Sequence, residues 1–138
     1  MSKLVRFGVS LDKRLLDKFD ALIRERKYTN RSEALRDLIR QELVKKQWEE
    51  NGEVAGAITF VYDHHKRELV NRIIDIQHDF QNIIVSSQHI HLDHDNCLEI
   101  VALRGKAREV ERVADMLRSV RGVRYGTLSM SSIGRDID

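Results

Sequence analysis

Apolar positions along the chain change period, and each change predicts a new element. Residues 4–10 alternate: Val5, Phe7 and Val9 point one way, Arg6, Gly8 and Ser10 the other. A lone strand is not stable, so this one needs a partner from another chain or from far along its own. Asp12 then reads as a helix N-cap, and Leu15, Leu16, Phe19, Leu22 and Ile23 follow at helical spacing. Lys27-Tyr28-Thr29 breaks the pattern. Asn30 is the next N-cap, with Glu33 three residues later as in a capping box. Ala34, Leu35, Leu38, Ile39 and Leu43 mark a second amphipathic helix running to about Trp48. Residues 49–53 are polar, include a glycine and read as a short linker. Beyond them the order is regular: a strand over 54–62, a helix carrying Leu69, Val70, Ile73, Ile74 and Phe80, and strands over 83–92 and 97–103. A helix carrying Val110, Val113, Ala114 and Leu117 follows, then a strand over 124–130. That order is βαββαβ, a ferredoxin-like split unit with one sheet face left free to pack on another subunit. The fold class is α+β, with domains at 1–50 and 51–138.

The candidate chemistry lies in the hairpin of the second half. His89 and His91 sit two apart in an alternating run, so they share a face. Asp93, His94, Asp95 and Asn96 make the turn, and Cys97 begins the return strand. The hairpin places two imidazoles and one thiol together, and His78, near the end of the preceding helix, could complete the set. Three nitrogens and one sulfur suit Ni(II), Cu(II) or Zn(II) rather than calcium or magnesium. An exposed His-x-His is usually plain polar surface and a lone cysteine a small core residue; it is their combination in hairpin register that points to a metal. His64, His65 and His94 fall in turns or at a helix start and are expected to be solvated rather than ligating.

Composition changes the picture only in part. The 138 residues suffice for one ordinary domain or two small ones, and with 41% apolar and 33% charged residues the chain is globular. No apolar run approaches membrane-spanning length and no signal-peptide pattern opens the chain. The single cysteine excludes an internal disulfide, and a free thiol fits the reducing cytoplasm. Charge is uneven: residues 1–50 carry 13 Lys/Arg against 9 Asp/Glu, a net +4, and residues 51–138 carry 11 against 13, a net −2. A basic first half is compatible with nucleic acid.

Strand–helix–helix in the first fifty residues resembles the ribbon-helix-helix DNA-binding family, in which two chains intertwine and pair their N-terminal strands into a ribbon that enters the major groove. Dimerising would give the lone strand its ladder and bury Val5, Phe7 and Val9. The other face then offers Arg6, Gly8 and Ser10 to base edges, where Arg can bond guanine bidentately. The amides opening the second helix, around Asn30, Arg31 and Ser32, form an anion site for a backbone phosphate, with Arg36 also basic on that helix.

Joined to a βαββαβ domain bearing His-x-His-x5-Cys-x-Glu, this module resembles the nickel-responsive repressors called NikR. The resemblance covers nearly the whole chain. It includes Asn30-Arg31-Ser32-Glu33-Ala34, Tyr62, Lys66-Arg67, Gln77-His78, His89-Ile90-His91, Cys97-Leu98-Glu99 and Arg121-Gly122-Val123. It implies a homotetramer, a dimer of dimers joined through the C-terminal domains, with one Ni(II) per subunit in planar coordination. His89, His91 and Cys97 would come from one subunit and His78 from its neighbour. Glu99 and Tyr62 match positions that line the metal site and orient its ligands. Lys66 and Arg67 match a loop that approaches the DNA backbone. Glu33 and Asp37, four apart on one helix face, match carboxylates holding a second, hard cation such as potassium between the domains; the pair also reads as a solvated face. The implied function is repression at a palindromic double-stranded DNA operator when Ni(II) is bound, controlling nickel uptake. Two departures stand out: Gly8 lies where a reading side chain is usual, and Tyr125 where some relatives have histidine, which weakens the case for an additional metal site there.

Other functions explain the residues less well. An antitoxin-like protein would have a partner-folded tail, but the second half here has a full core pattern. A βαββαβ sensor of an amino acid has no need of three imidazoles and a thiol. An enzyme could use a Cys near His as nucleophile, but no separate substrate module is visible. Ligand identity alone does not rank Ni(II) against Cu(II) or Zn(II).

Overall fold

The computed structural model describes residues 3–138. The chain forms two compact units. One comprises the chain up to Leu43 with Asp136–Asp138, the other Val44–Arg135.

In the first unit α1 spans Lys13–Glu25 and α2 begins at Arg31, running to Glu49. Asp12 caps α1 as expected, its side chain accepting from the Arg14 amide at 2.9 Å. Asn30 Oδ1 accepts from the Glu33 amide at 2.9 Å. The reciprocal half of the expected capping box is not formed, because the Glu33 carboxylate is taken by Arg36 one turn on. The expected N-terminal strand has no ladder in the single chain. Residues 3–10 are unpaired, and Val5, Phe7 and Val9 are exposed at 73%, 72% and 56%. The reason is the one the alternation implies: a strand needs a neighbour for its amides and carbonyls, and none of the described residues provides one.

The second unit is the βαββαβ unit, with β1 Glu53–Asp63, α3 Arg67–Asp79, β2 Ile84–His91, β3 Asn96–Lys106, α4 Ala107–Arg118 and β4 Val123–Met130. The sheet order is β2-β3-β1-β4 and every pair is antiparallel. Period-two alternation puts Val54, Ile58, Phe60 and Tyr62 of β1 and Cys97, Val101 and Leu103 of β3 on the face covered by the helices. They pack there on Leu69, Ile73 and Ile76 of α3 and Val110, Val113, Ala114 and Leu117 of α4. Trp48 closes one end of this core, its indole N–H donating to the Ser131 carbonyl at 2.9 Å. Gly122 turns the chain from α4 into β4 at φ +100, where a Cβ would lie 2.5 Å from Leu69. On the opposite sheet face, Ile90, Leu98, Val61 and Tyr125 form one row across all four strands; the first three are half-buried and Tyr125 is exposed.

Candidate metal centre

Strand register builds the site. Two neighbouring rows cross the helix-covered face: His91, Cys97 and Tyr62 in one, His89, Glu99 and Phe60 in the next. The hairpin that joins β2 and β3 is held by Asp93. Its Oδ1 accepts from the Asp95 and Asn96 amides at 2.9 and 2.8 Å and from the Asn96 side chain at 3.1 Å. Those hydrogen bonds, from Asn96 first, keep the Asp93 carboxyl below the usual carboxylate range.

In the first row Cys97 is fully buried, its Sγ 3.4 Å from His91 Nδ1 and 3.1 Å from His64 Nδ1. The three donor atoms lie within 4.8 Å of one another. Burial, and after it the negative charges of Asp63, Glu99 and Asp93, raise the Cys97 thiol above its ordinary pKa. The thiol therefore stays protonated until a cation displaces the proton. Burial together with the neighbouring His65 and His91 lowers His64, which leaves its imidazole neutral with a lone pair to give. The donor set is what a borderline transition metal takes.

In the second row Glu99 is a buried carboxylate, 7% exposed, and it has three donors. Tyr62 OH donates to it at 3.0 Å, His89 Nδ1 stands 3.2 Å away, and Gln77 of α3 reaches its other oxygen. Tyr62 OH is also 3.0 Å from His89 Nδ1. A carboxylate only accepts, so Nδ1 of His89 carries the proton and Nε2 keeps the lone pair. Burial first, and then the Glu99 charge, push the Tyr62 hydroxyl well above its ordinary pKa, so it remains a donor.

The structure groups His91 with Cys97 and His64, and sets His89 in the neighbouring row against Glu99 and Tyr62, outside that convergent donor group. His78 is not among them: it lies exposed in the last turn of α3, next to Gln77, and belongs to no group of convergent metal-ligating side chains among the described residues. His64 corrects the sequence reading. It is half-buried against Cys97, not solvated. Its place follows from the pairing of Tyr62 with Cys97 across the sheet, just before the chain turns back. His65 is exposed as expected; its Nδ1 and amide both face Asp63 Oδ1, at 3.1 and 2.9 Å.

The candidate DNA residues divide into free and engaged. Arg6, Gly8 and Ser10 are exposed in the extended N-terminal segment, with open space around Gly8. Ser32 is exposed in the first turn of α2, where Asn30 is the cap. Arg31 holds Asp20 of α1 bidentately, both bonds 2.9 Å, which lowers the Asp20 carboxyl and raises the guanidinium. Arg36 pairs with Glu33. Lys66 and Arg67 open α3, exposed and in no ion pair among the described residues. Asp37, the other candidate cation ligand, accepts from Tyr28 and, at 3.0 Å, from Gln41; neither it nor Glu33 belongs to a convergent group of three or more metal-ligating side chains among the described residues.

A ribbon-helix-helix module followed by a βαββαβ domain with this hairpin defines a class of metal-dependent DNA-binding proteins, and the comparisons name the family within it. Residues 55–131 match the NikR C terminal nickel binding domain, and residues 5–46 match the ribbon-helix-helix protein, copG family. Relatives assigned by name as nickel-responsive regulators include one from Syntrophus aciditrophicus, 62% identical over 135 residues and 98% of each chain. Others come from Chlorobium phaeobacteroides, 61% identical over 96% of this chain and 98% of its own, and Nitratidesulfovibrio vulgaris, 52% identical over 99% of each. The chain belongs to this NikR family. A solved structure of an uncharacterized protein from Thermotoga maritima shares the fold alone, with TM-score 0.51 and 13% identity over 56% of this chain and 96% of that one. No helix among the described residues is long and apolar enough to cross a membrane.

Proposed function

We propose that this chain is a nickel-responsive transcriptional repressor that binds an operator in double-stranded DNA when Ni(II) occupies the hairpin site; it is a regulator and not an enzyme. The observation that carries the reading is the pair of adjacent rows, His91–Cys97–Tyr62 and His89–Glu99, which sets one imidazole against the thiol and a second, its tautomer fixed by Glu99, on the next pair of the same hairpin. His89, His91 and Cys97 would hold one Ni(II) per subunit, with His78 supplied by a second copy of the chain. In the proposed dimer of dimers that copy would also meet His78 and the sheet face that carries Ile90, Leu98, Val61 and the exposed Tyr125. When bound, nickel would supply a positive charge that thiolate and imidazole donors from two chains could share.

At the other end of the chain, Arg6 and Ser10 read bases while Gly8 adds no side chain. Asn30, Arg31, Ser32, Arg36, Lys66 and Arg67 position the protein on phosphates. For Arg31 and Arg36 this means exchanging a carboxylate for a phosphate. Glu33 and Asp37 are the proposed ligands of a hard cation such as potassium, each giving up its present partner. The cytoplasm is the proposed compartment, where a buried free thiol is maintained.

The test is operator binding by purified protein with Ni(II), Cu(II) and Zn(II) in turn, at fixed salt because salt alone changes affinity strongly. Nickel should give the tightest complex. Equal affinity with and without metal would overturn the reading.

A further inference from the structure

The turn that sets the hairpin register is held from the far side of the sheet. Cys97 pairs with His91, and the residue before it, Asn96, closes the turn. The Asn96 carbonyl accepts from the Leu92 amide at 3.0 Å and from the Asp93 amide at 3.3 Å. Its side-chain amide donates to both Asp93 oxygens at 3.1 Å. The remaining polar atom, Asn96 Oδ1, accepts from the guanidinium of Arg124. Arg124 belongs to β4, and β1 lies between β4 and β3 in the sheet.

Arg124 owes its place to a break in the β1–β4 ladder. Val61 pairs with Tyr125 and Tyr62 with Val123, so Arg124 is an extra residue with no partner on β1. In an unbroken ladder it would stand opposite Tyr62. Opposed residues share a sheet face, so its side chain would then point into the core beneath the helices. The bulge gives that place to Val123, which packs on the core, and leaves Arg124 exposed. Such a bulge gives up regular pairing and re-aims one side chain; here the side chain reaches the turn before Cys97.

We propose that Arg124 is a positioning residue of the nickel site: through Asn96 it holds the turn that keeps Cys97 opposite His91. The inference rests on the reading of His91 and Cys97 as nickel ligands. Arg124 acts through hydrogen bonds and not as a ligand, since a guanidinium has no lone pair to give. Its charge acts separately. The Asp93 carboxyl, kept low by Asn96 and Asp95 first, also feels the Arg124 cation, and a cation near the site repels incoming metal. The two effects differ in sign. Losing the charge tightens nickel whether or not Asn96 is present, whereas losing the bond weakens nickel only where Asn96 can accept.

A double-mutant cycle on the full-length protein separates them. The variants are Arg124→Met, which keeps the stem but neither donor nor charge, Asn96→Ala, and both together. Ni(II) affinity would be measured by competition with a chelator. Arg124→Met should weaken nickel about three- to tenfold, less than the loss of a direct partner of a metal ligand. In the Asn96→Ala background the same substitution should weaken it no further. The urea midpoint of metal-free Arg124→Met should match wild type, because an exposed polar pair contributes little to folding. Unchanged or tighter nickel binding in Arg124→Met would overturn the proposal, as would an equal loss in both backgrounds. A loss of affinity that comes with a lowered urea midpoint would make the bond merely structural and overturn it too. Absence of a sulfur-to-nickel charge-transfer band in wild type would instead refute the nickel reading on which the inference rests.

Discussion

Glu99→Gln isolates the part of the metal centre that holds no metal. The substitution keeps size and shape but replaces an acceptor-only carboxylate with an amide. In the native site both carboxylate oxygens accept, from Tyr62 OH and His89 Nδ1 on one side and from Gln77 on the other. An amide nitrogen cannot accept. Whichever way the new side chain turns, an N–H group meets either Gln77 or the Tyr62–His89 pair. A mispaired polar group at a site only 7% exposed should cost about 1–3 kcal/mol of stability in the metal-free protein, read from urea unfolding. If the amide donates toward His89 Nδ1, the imidazole shifts its proton to Nε2 and loses the lone pair the metal needs. Nickel affinity should fall about 10–100-fold, equivalent to about 1.4–2.7 kcal/mol, measured by competition with a chelator. The charge-transfer band at saturating nickel should survive, because Cys97 is untouched. Nickel affinity equal to wild type would refute the argument that Glu99 sets the tautomer and basicity of His89.

Cys97→Ala should abolish the charge-transfer band; in the wild type, nickel affinity should rise with pH, because the raised thiol must lose its proton to bind and protons compete less well with the metal as their concentration falls. Arg6→Ala should cost about 1–3 kcal/mol of discrimination between operator and scrambled DNA in a gel-shift titration at fixed salt. Lys66→Ala or Arg67→Ala should weaken all sequences alike and reduce the salt slope by about one. Under the proposed assembly, mixtures of His78→Ala and Cys97→Ala subunits should regain intact quartets at some sites, measured as nickel stoichiometry; no recovery in any mixture would show that each site is confined to one chain.

The second unit was legible in the sequence because its physics is local. Alternation on β1 and β3, helical spacing on α3 and α4, and the Asp93–Asn96 turn each specify their own element, and the order of elements leaves few topologies. The shared face of His89, His91 and Cys97 followed from period two and one tight turn, whereas Glu99 came only from the family resemblance. His64 followed from neither, because its place depends on the Tyr62–Cys97 pairing, a contact between residues 35 positions apart that periodicity does not encode. Arg31 and Arg36 were visible as cations but not as partners of Asp20 and Glu33, since side-chain pairing depends on how α1 and α2 meet and on rotamers. The N-terminal segment shows the converse. Its alternation was read as a strand, yet alternation states only which residues share a face, and a ladder needs a second edge.

Both ends of the chain are therefore unfinished in the same sense. The N-terminal segment exposes Val5, Phe7 and Val9 with its backbone unpaired, and the hairpin carries His89, His91 and Cys97 on one sheet face while His78 stands apart on α3. A second copy of the chain would complete either. Under the proposed assembly this is what makes coupling possible. Nickel that bridges two chains favours the arrangement that aligns ribbons on one operator, and operator binding favours the arrangement that brings His78 to its partner's hairpin. Linkage makes the two effects equal: the factor by which nickel tightens DNA is the factor by which DNA tightens nickel. For coupling of ordinary size that factor is about 5–150. A site complete within one chain would bind the metal as well in every arrangement, and a ligand with equal affinity for all states shifts none of them.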